Sequence, residues 1–105
     1  MDMENATVEE LIVYIIANAG DSKSCSFEAI DAAKENDFAY ADQLLKQAET
    51  ALEKSHLAHT ALLARETKKE LEVSLLMVHA SNHLSIAEIS QMFAVEIISL
   101  HKERT

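Results

Sequence analysis

The sequence predicts an all-α fold, a three-helix antiparallel bundle. Three observations carry this reading. The 105 residues include one Gly and no Pro, so the tight turns of hairpins, sandwiches and nucleotide-binding crossovers lack the residues they need. Only Tyr14, Phe27, Phe38, Tyr40 and Phe93 are aromatic, which weakens a strand reading. Apolar residues also recur at three-and-four spacings over long stretches. The length suits one domain over 1–105. An apolar share of 49% supplies a core, and a charged share of 26% is that of a globular chain.

The first helix opens on Thr7-Val8-Glu9-Glu10, a capping box in which Thr7 caps and Glu10 bonds back. It runs from about Val8 to Ala19, with Leu11, Ile12, Ile15, Ile16 and Ala19 on one face. Gly20 stands where a helix breaks or bends, and Asp21 or Ser22 could restart it. A further helical stretch to about Glu35 carries Phe27 and Ile30 inward. Asn36-Asp37 punctuates the chain, either residue being a suitable N-cap. The second long helix extends to about Glu66. Phe38, Leu45, Leu52 and His59 repeat every seven residues along it, interleaved with Ala41, Ala48, Ser55 and Leu62. Arg65–Glu70 is almost wholly charged or polar and reads as a turn. The third helix runs from about Glu70 to His101. His79, Ile86, Phe93 and Leu100 form one heptad line there, and Leu75, Asn82 and Ile89 the next. Sustained heptads point to coiled-coil-like packing. Leu76, Ile86, Ile89 and Phe93 read as core or subunit interface. The tail His101-Lys102-Glu103-Arg104 complements the helix dipole.

A formal net charge of −9 disfavours nucleic acid and anionic membrane surfaces, both of which need clustered Lys and Arg. The single Cys25 excludes an internal disulfide, so a reducing, cytoplasmic setting is expected. Met1–Glu10 carries four acids and no basic run, unlike a secretory leader. The longest apolar run, Leu11–Ala17, is far shorter than the ~20 residues a bilayer span needs, so no membrane insertion is expected.

The most informative stretch is Val73–Ala87, fifteen residues without Asp, Glu, Lys or Arg. On a helix, His79, Asn82, His83 and Ile86 share one face. Such histidines are ordinarily core residues with satisfied nitrogens. His79 and His83 could share a metal ion, with His56 or His59 as a third ligand, but no acid or Cys stands close, so no metal site is expected. Acyl transfer through Ser81 or Ser85 lacks a nucleophile elbow and a glycine loop. Phosphoryl transfer suits the window better. A neutral imidazole, with an ordinary pKa of ~6.5, is a good nitrogen nucleophile near neutral pH. No carboxylate in the window repels the incoming anion, and hydroxyls and amides can hold its oxygens. There is no P-loop, so ATP is not the donor.

The chain resembles the IIA components of the lactose/cellobiose-chitobiose class of the bacterial sugar phosphotransferase system. The likeness spans nearly the whole sequence. It rests on Asn18-Ala19-Gly20-Asp21-Ser22-Lys23-Ser24, on Ala33-Lys34 before Asn36-Asp37-Phe38-Ala39, on His56 with Thr60, and above all on Ser74-Leu75-Leu76-Met77-Val78-His79-Ala80-Ser81-Asn82-His83-Leu84. The resemblance implies a cytoplasmic homotrimer, a nine-helix bundle with the active histidine in a groove between subunits. It implies that His79 takes phosphate from the phosphocarrier HPr and passes it to a cysteine of a IIB protein or domain, during uptake of a β-linked sugar of the cellobiose, chitobiose or lactose type. His83, Ser81, Asn82, His56 and His59 would support the phosphate, and no cofactor is expected. Two residues depart from the pattern. Asn82 replaces an aspartate that in relatives faces the threefold axis and helps hold magnesium. Three asparagines bring no charge to a hard cation and can bond to one another, so no tightly bound magnesium is expected. His59 stands where relatives usually have glutamine. It reads as a buried or interface polar residue, or as an aid in positioning His79. These departures motivate the alternative of a helical regulatory or interaction module that keeps the fold without the relay.

Overall fold

The computed structural model describes residues 1–104 and contains three long helices: α1 (Val8–Lys34), α2 (Phe38–Thr67) and α3 (Leu75–Glu103). No strand occurs among the described residues. The rod they form measures 53 × 22 × 16 Å.

Each helix starts on a capping side chain. Thr7 Oγ1 accepts from the Glu10 amide at 3.0 Å while Glu10 Oε1 accepts from the Thr7 amide at 3.4 Å, so the capping box forms as expected. Asp37 caps α2 by accepting from the Tyr40 amide, and Ser74 caps α3 by accepting from the Met77 amide. Asn36 plays a different part from an N-cap. It ends α1 at φ 60°, with the Asp37 amide bonded to Ala32 O and its own to Ala33 O. This is the Schellman termination, with Asn as a tolerated substitute for glycine. Lys69 repeats it after α2 at the same φ, with Glu70 N bonded to Arg65 O.

Gly20, where the sequence left a break and a bend both open, lies inside an unbroken α1, because an isolated helical Gly costs only about 1 kcal/mol relative to Ala and no Pro removes a bond. Two other expectations fail. α3 begins at Leu75 rather than Glu70, because the Schellman turn and extended Ser74 occupy the intervening chain. Phe27 is exposed rather than inward, and Ile30 is half-buried. The buried line of α1 runs Leu11, Ile15, Ala19, Ser22, Ser26, Ala29, Ala33, and Phe27 sits about 100° round from Ser26.

Interhelical bonds define the antiparallel packing. Ser22 Oγ donates to Ala48 O at 2.8 Å and Ser55 Oγ to Ile15 O at 2.9 Å, so residue numbers fall along α2 as they rise along α1. His56 faces Glu88, His59 faces Ser81 and Asp42 faces Lys102, giving the same sense for α2 and α3. Arg65 pins the N-terminal segment by donating to Met3 O and Glu4 O.

The core has two parts. One gathers Leu11, Ile12, Ile15, Leu52, Leu62, Met77 and Leu84 around Ala19, Ala58, Ala80 and Ala87. The other gathers Leu44 and Ile98 around Ala29, Ala33 and Ala41. In α3 the inward line is Met77, Ala80, Leu84, Ala87, Ala94 and Ile98. Small residues there let the helices approach closely. The bulkier line of Ile86, Ile89, Phe93 and Leu100 is exposed on the chain and is not its core, contrary to half of the expectation above.

Candidate functional site

α3 alone positions His79, Asn82 and His83. The Ser74 cap fixes the start of the helix, and buried Met77, Ala80 and Leu84 fix its roll against α1 and α2. His79 therefore points outward one turn and a half from the cap, and it is exposed. Its Nε2 lies 3.0 Å from Nε2 of His83, with the ring planes at 89° and centroids 4.5 Å apart. One ring donates and the other accepts, so a hydrogen bond holds the pair when both are neutral. No ion pair involves either ring among the described residues.

His79 and Asn82 line a shallow open groove of about 510 Å³ together with Leu75, Leu76 and Val78. The groove combines a nucleophilic ring, one amide and an apolar rim, with no acid on its walls. Asn82 and Val78 also border a smaller cavity of about 150 Å³ between α2 and α3, which His59, Ser81 and Glu66 share.

The other expected residues fall elsewhere. Ser81 is two positions from His79, so its side chain turns towards α2, where Oγ meets His59 Nε2 at 2.9 Å. Burial disfavours the charged form of His59, and the neighbouring His56 adds to this, so its pKa is lowered from the ordinary value. His56 lies further along α2 with Nε2 3.5 Å from Glu88 Oε2. The structure thus divides the four candidate histidines into two sets, His79–His83 on the open face of α3 and His56 with His59 on the α2–α3 seam. Glu88 and the apolar rim were not among the expected site residues. Hydropathy along one helix cannot reveal the cross-helix register that brings Glu88 to His56, although Leu75, Leu76 and Val78 lay within the uncharged window. Cys25 lies apart in a polar groove between α1 and α2, its thiol pushed up by burial and by Glu28 and Asp21.

Residues 10–102 match the family model described as "PTS system, Lactose/Cellobiose specific IIA subunit". The lichenan-specific phosphotransferase enzyme IIA component of Bacillus subtilis (strain 168) is 39% identical over 102 residues, covering 96% of this chain and 93% of its own. The crystal structure of a cellobiose-specific enzyme IIA from Bacillus anthracis superposes with a TM-score of 0.87 at 33% identity, covering 93% of this chain and 91% of that one. The IIA(Chitobiose) structure solved in complex with HPr, from the Escherichia coli phosphotransferase system, superposes at 0.82 with 32% identity, covering 93% and 96%.

Proposed function

The chain belongs to the lactose/cellobiose-specific IIA family of phosphotransferase components, and from that premise we propose that it relays phosphate through His79. Phospho-HPr is the donor and a cysteine of a IIB protein or domain the acceptor, in the cytoplasm, during uptake of a β-linked sugar of the cellobiose, chitobiose or lactose type. The observation that carries the proposal is the exposed His79 ring, hydrogen-bonded to His83 and lining a groove whose walls carry no carboxylate.

The chemistry follows from that pair. Neutral His79, protonated on Nδ1, offers the Nε2 lone pair in line with the phosphorus of the donor phosphohistidine. A new N–P bond forms as the old one breaks and the donor imidazole leaves with its electron pair. His83, holding its proton on Nε2, gives up its bond to His79 and donates to a phosphoryl oxygen in the same place. Asn82 at the groove wall supplies an amide donor. Neither donor carries a fixed charge, so the group is oriented without being trapped. The second transfer reverses the steps towards a thiolate. His59, Ser81 and His56 act at one remove, holding α3 against α2.

The assembled form is a homotrimer of single-domain subunits spanning 1–105, nine helices in all. Support comes from the outward stripe of Ile86, Ile89, Phe93 and Leu100, which repeats the coiled-coil period on the face that also bears His79. α3 contains an 18-residue window with mean hydropathy 1.2, a value that core helices of bundles reach as well as membrane spans. Glu88, Glu96 and the histidine pair fit a helical seam better than a bilayer. Where the family resemblance implies a carboxylate, Asn82 brings a carbonyl oxygen without charge, so magnesium is not tightly bound there and the relay is written without a metal.

The test supplies phosphoenolpyruvate, enzyme I and HPr and looks for an acid-labile phosphate on the chain. Wild type should label and His79→Ala should not. Full labelling of His79→Ala would overturn the assignment. Labelling of His79 that never passes to a cognate IIB cysteine would instead favour the regulatory module.

A further inference from the structure

The contact between the exposed imidazole of His79 and the half-buried one of His83 has a second chemical meaning. Two nitrogens each ~2.0–2.1 Å from a zinc-like ion, at a bite of about 90–109°, lie about 2.9–3.4 Å apart. The Nε2 atoms of His79 and His83 are 3.0 Å apart. Ring centroids 4.5 Å apart show that the rings meet at a bent angle, not in line. The separation and the bent approach match those of two ligands on one ion, and rotation about the two side-chain torsions would turn both lone pairs from each other to one external point once the protons sit on Nδ1. No rearrangement of the helix is needed, since both side chains leave α3 one turn apart.

We propose that His79 and His83 form a two-imidazole chelate for a borderline divalent cation of the zinc type. A cation held there occupies the Nε2 lone pair that phosphorus needs, so metal and phosphoryl group exclude each other. Several features favour binding. Imidazole suits zinc, copper and nickel, whereas magnesium and calcium want oxygen. The stretch from Val73 to Ala87 holds no Lys or Arg to repel a cation, and the net charge of −9 draws cations towards the chain. Among the described residues no group of three or more His, Cys, Asp and Glu gathers around one point. The remaining positions on the ion go to solvent, which makes the site weak, reversible and open. It is an inhibitory site, not a resident cofactor site.

The chelate stands on geometry alone; the mutual exclusion rests on the relay proposed above. The experiment separates the two. Zinc chloride is titrated into the full chain, as purified, at pH 7.5 by isothermal calorimetry, with magnesium chloride as a parallel titrant. One zinc per chain is expected, with no magnesium response at the same site. Outer-shell partners alone are worth roughly 10–100-fold in metal affinity, so His83→Gln and His79→Gln should each weaken zinc by at least that factor. His56→Gln and His59→Gln, on the other seam, should leave it unchanged. Ring signals of His79 and His83, and not those of His56 and His59, should shift in a two-dimensional imidazole spectrum. Unchanged zinc affinity in His83→Gln overturns the chelate. Should zinc bind as described while the chain never accepts phosphate from HPr, the relay fails and the chelate stands. If both hold, stoichiometric zinc should stop phosphate acceptance and a chelator such as EDTA should restore it. Phosphate acceptance at the zinc-free rate with the site saturated would overturn the exclusion.

Discussion

Phe93→Glu tests the assembly most directly. Phe93 is 64% exposed on the chain, beside Ile89 at 53% and Ile86 at 49%. Fully burying such a side chain is worth ~1.5–3 kcal/mol, so covering the exposed two-thirds of Phe93 in a trimer contributes about 1–2 kcal/mol per subunit. Three copies contribute about 3–6 kcal/mol. At ~1.4 kcal/mol per factor of ten, replacing them weakens association by roughly two to four powers of ten. Three glutamates drawn towards one seam repel and add to the loss. The assay is sedimentation velocity at micromolar protein. Wild type should run as three copies of the 11.6 kDa chain, and Phe93→Glu as one. Circular dichroism should show the helices retained, because Phe93 takes no part in either core cluster. Val13→Glu, equally exposed at 64% but on α1, is the control and should leave the mass unchanged. A wild-type monomer would refute the trimer. A Phe93→Glu protein that stays trimeric would refute the placing of the seam.

Gly20→Ala should stabilise the chain by about 0.5–1 kcal/mol, read as a higher thermal midpoint, since Gly20 is helical and a Cβ there meets nothing within 4 Å. Lys69→Gly should stabilise by a similar ~0.5–1 kcal/mol, because Lys69 sits at φ 60° in a turn that glycine adopts freely. Ser22→Ala should cost about 0.5–1.5 kcal/mol in urea denaturation through loss of its bond to Ala48 O, whereas Ser26→Ala should be neutral or stabilising, its buried hydroxyl having no partner among the described residues. His59 has a lowered pKa in the fold, so the unfolded chain binds its proton more readily; its contribution is complete above about pH 6.5 and is lost as pH falls below that towards the folded value. Urea midpoints of His59→Gln should accordingly fall less than those of wild type between pH 7.5 and 5.5, and an unchanged slope would refute this account.

The parts of the fold legible in the sequence are those decided by local chemistry. Thr7 and Glu10 reach each other's amides wherever the rest of the chain goes, so the first cap could be read directly. The two Schellman turns fall within two or three residues of where polar runs suggested breaks, but neither uses glycine, and Lys69 in particular gives no compositional signal for φ 60°. Periodicity located the helices and could not orient α3, because that helix carries two apolar lines. The bulkier line read as core or as subunit interface. The alanine line is the one buried, because three helices of a slender bundle approach closely only where side chains are small.

The same ambiguity explains why the candidate site was half legible. His79 and His83 lie four apart on one helix, so their meeting is a property of α3 alone, and spacing predicted it. Ser81 sits in the same short motif, yet its partner is on another helix, set by an interhelical register that no single segment encodes. That register assigns Ser81 to His59 at 2.9 Å and His56 to Glu88 at 3.5 Å, drawing a cluster that looked like four histidines around one phosphate into two pairs with different work. The open pair lies beside a groove whose lining carries no carboxylate, which suits the relay proposed above. The seam pair sits where α2 and α3 meet, with Glu88 3.5 Å from His56; in the relay proposed above the phosphoryl group stays on the other pair. Exchanging the surroundings of the two pairs, for instance by Val78→Glu on the wall of the His79 groove and outside the stripe of Ile86, Ile89, Phe93 and Leu100, should slow phosphate acceptance far more than Glu88→Gln on the seam changes it. A phosphorylation time course of the two variants decides this, and equal rates would mean that the absence of charge around His79 is incidental.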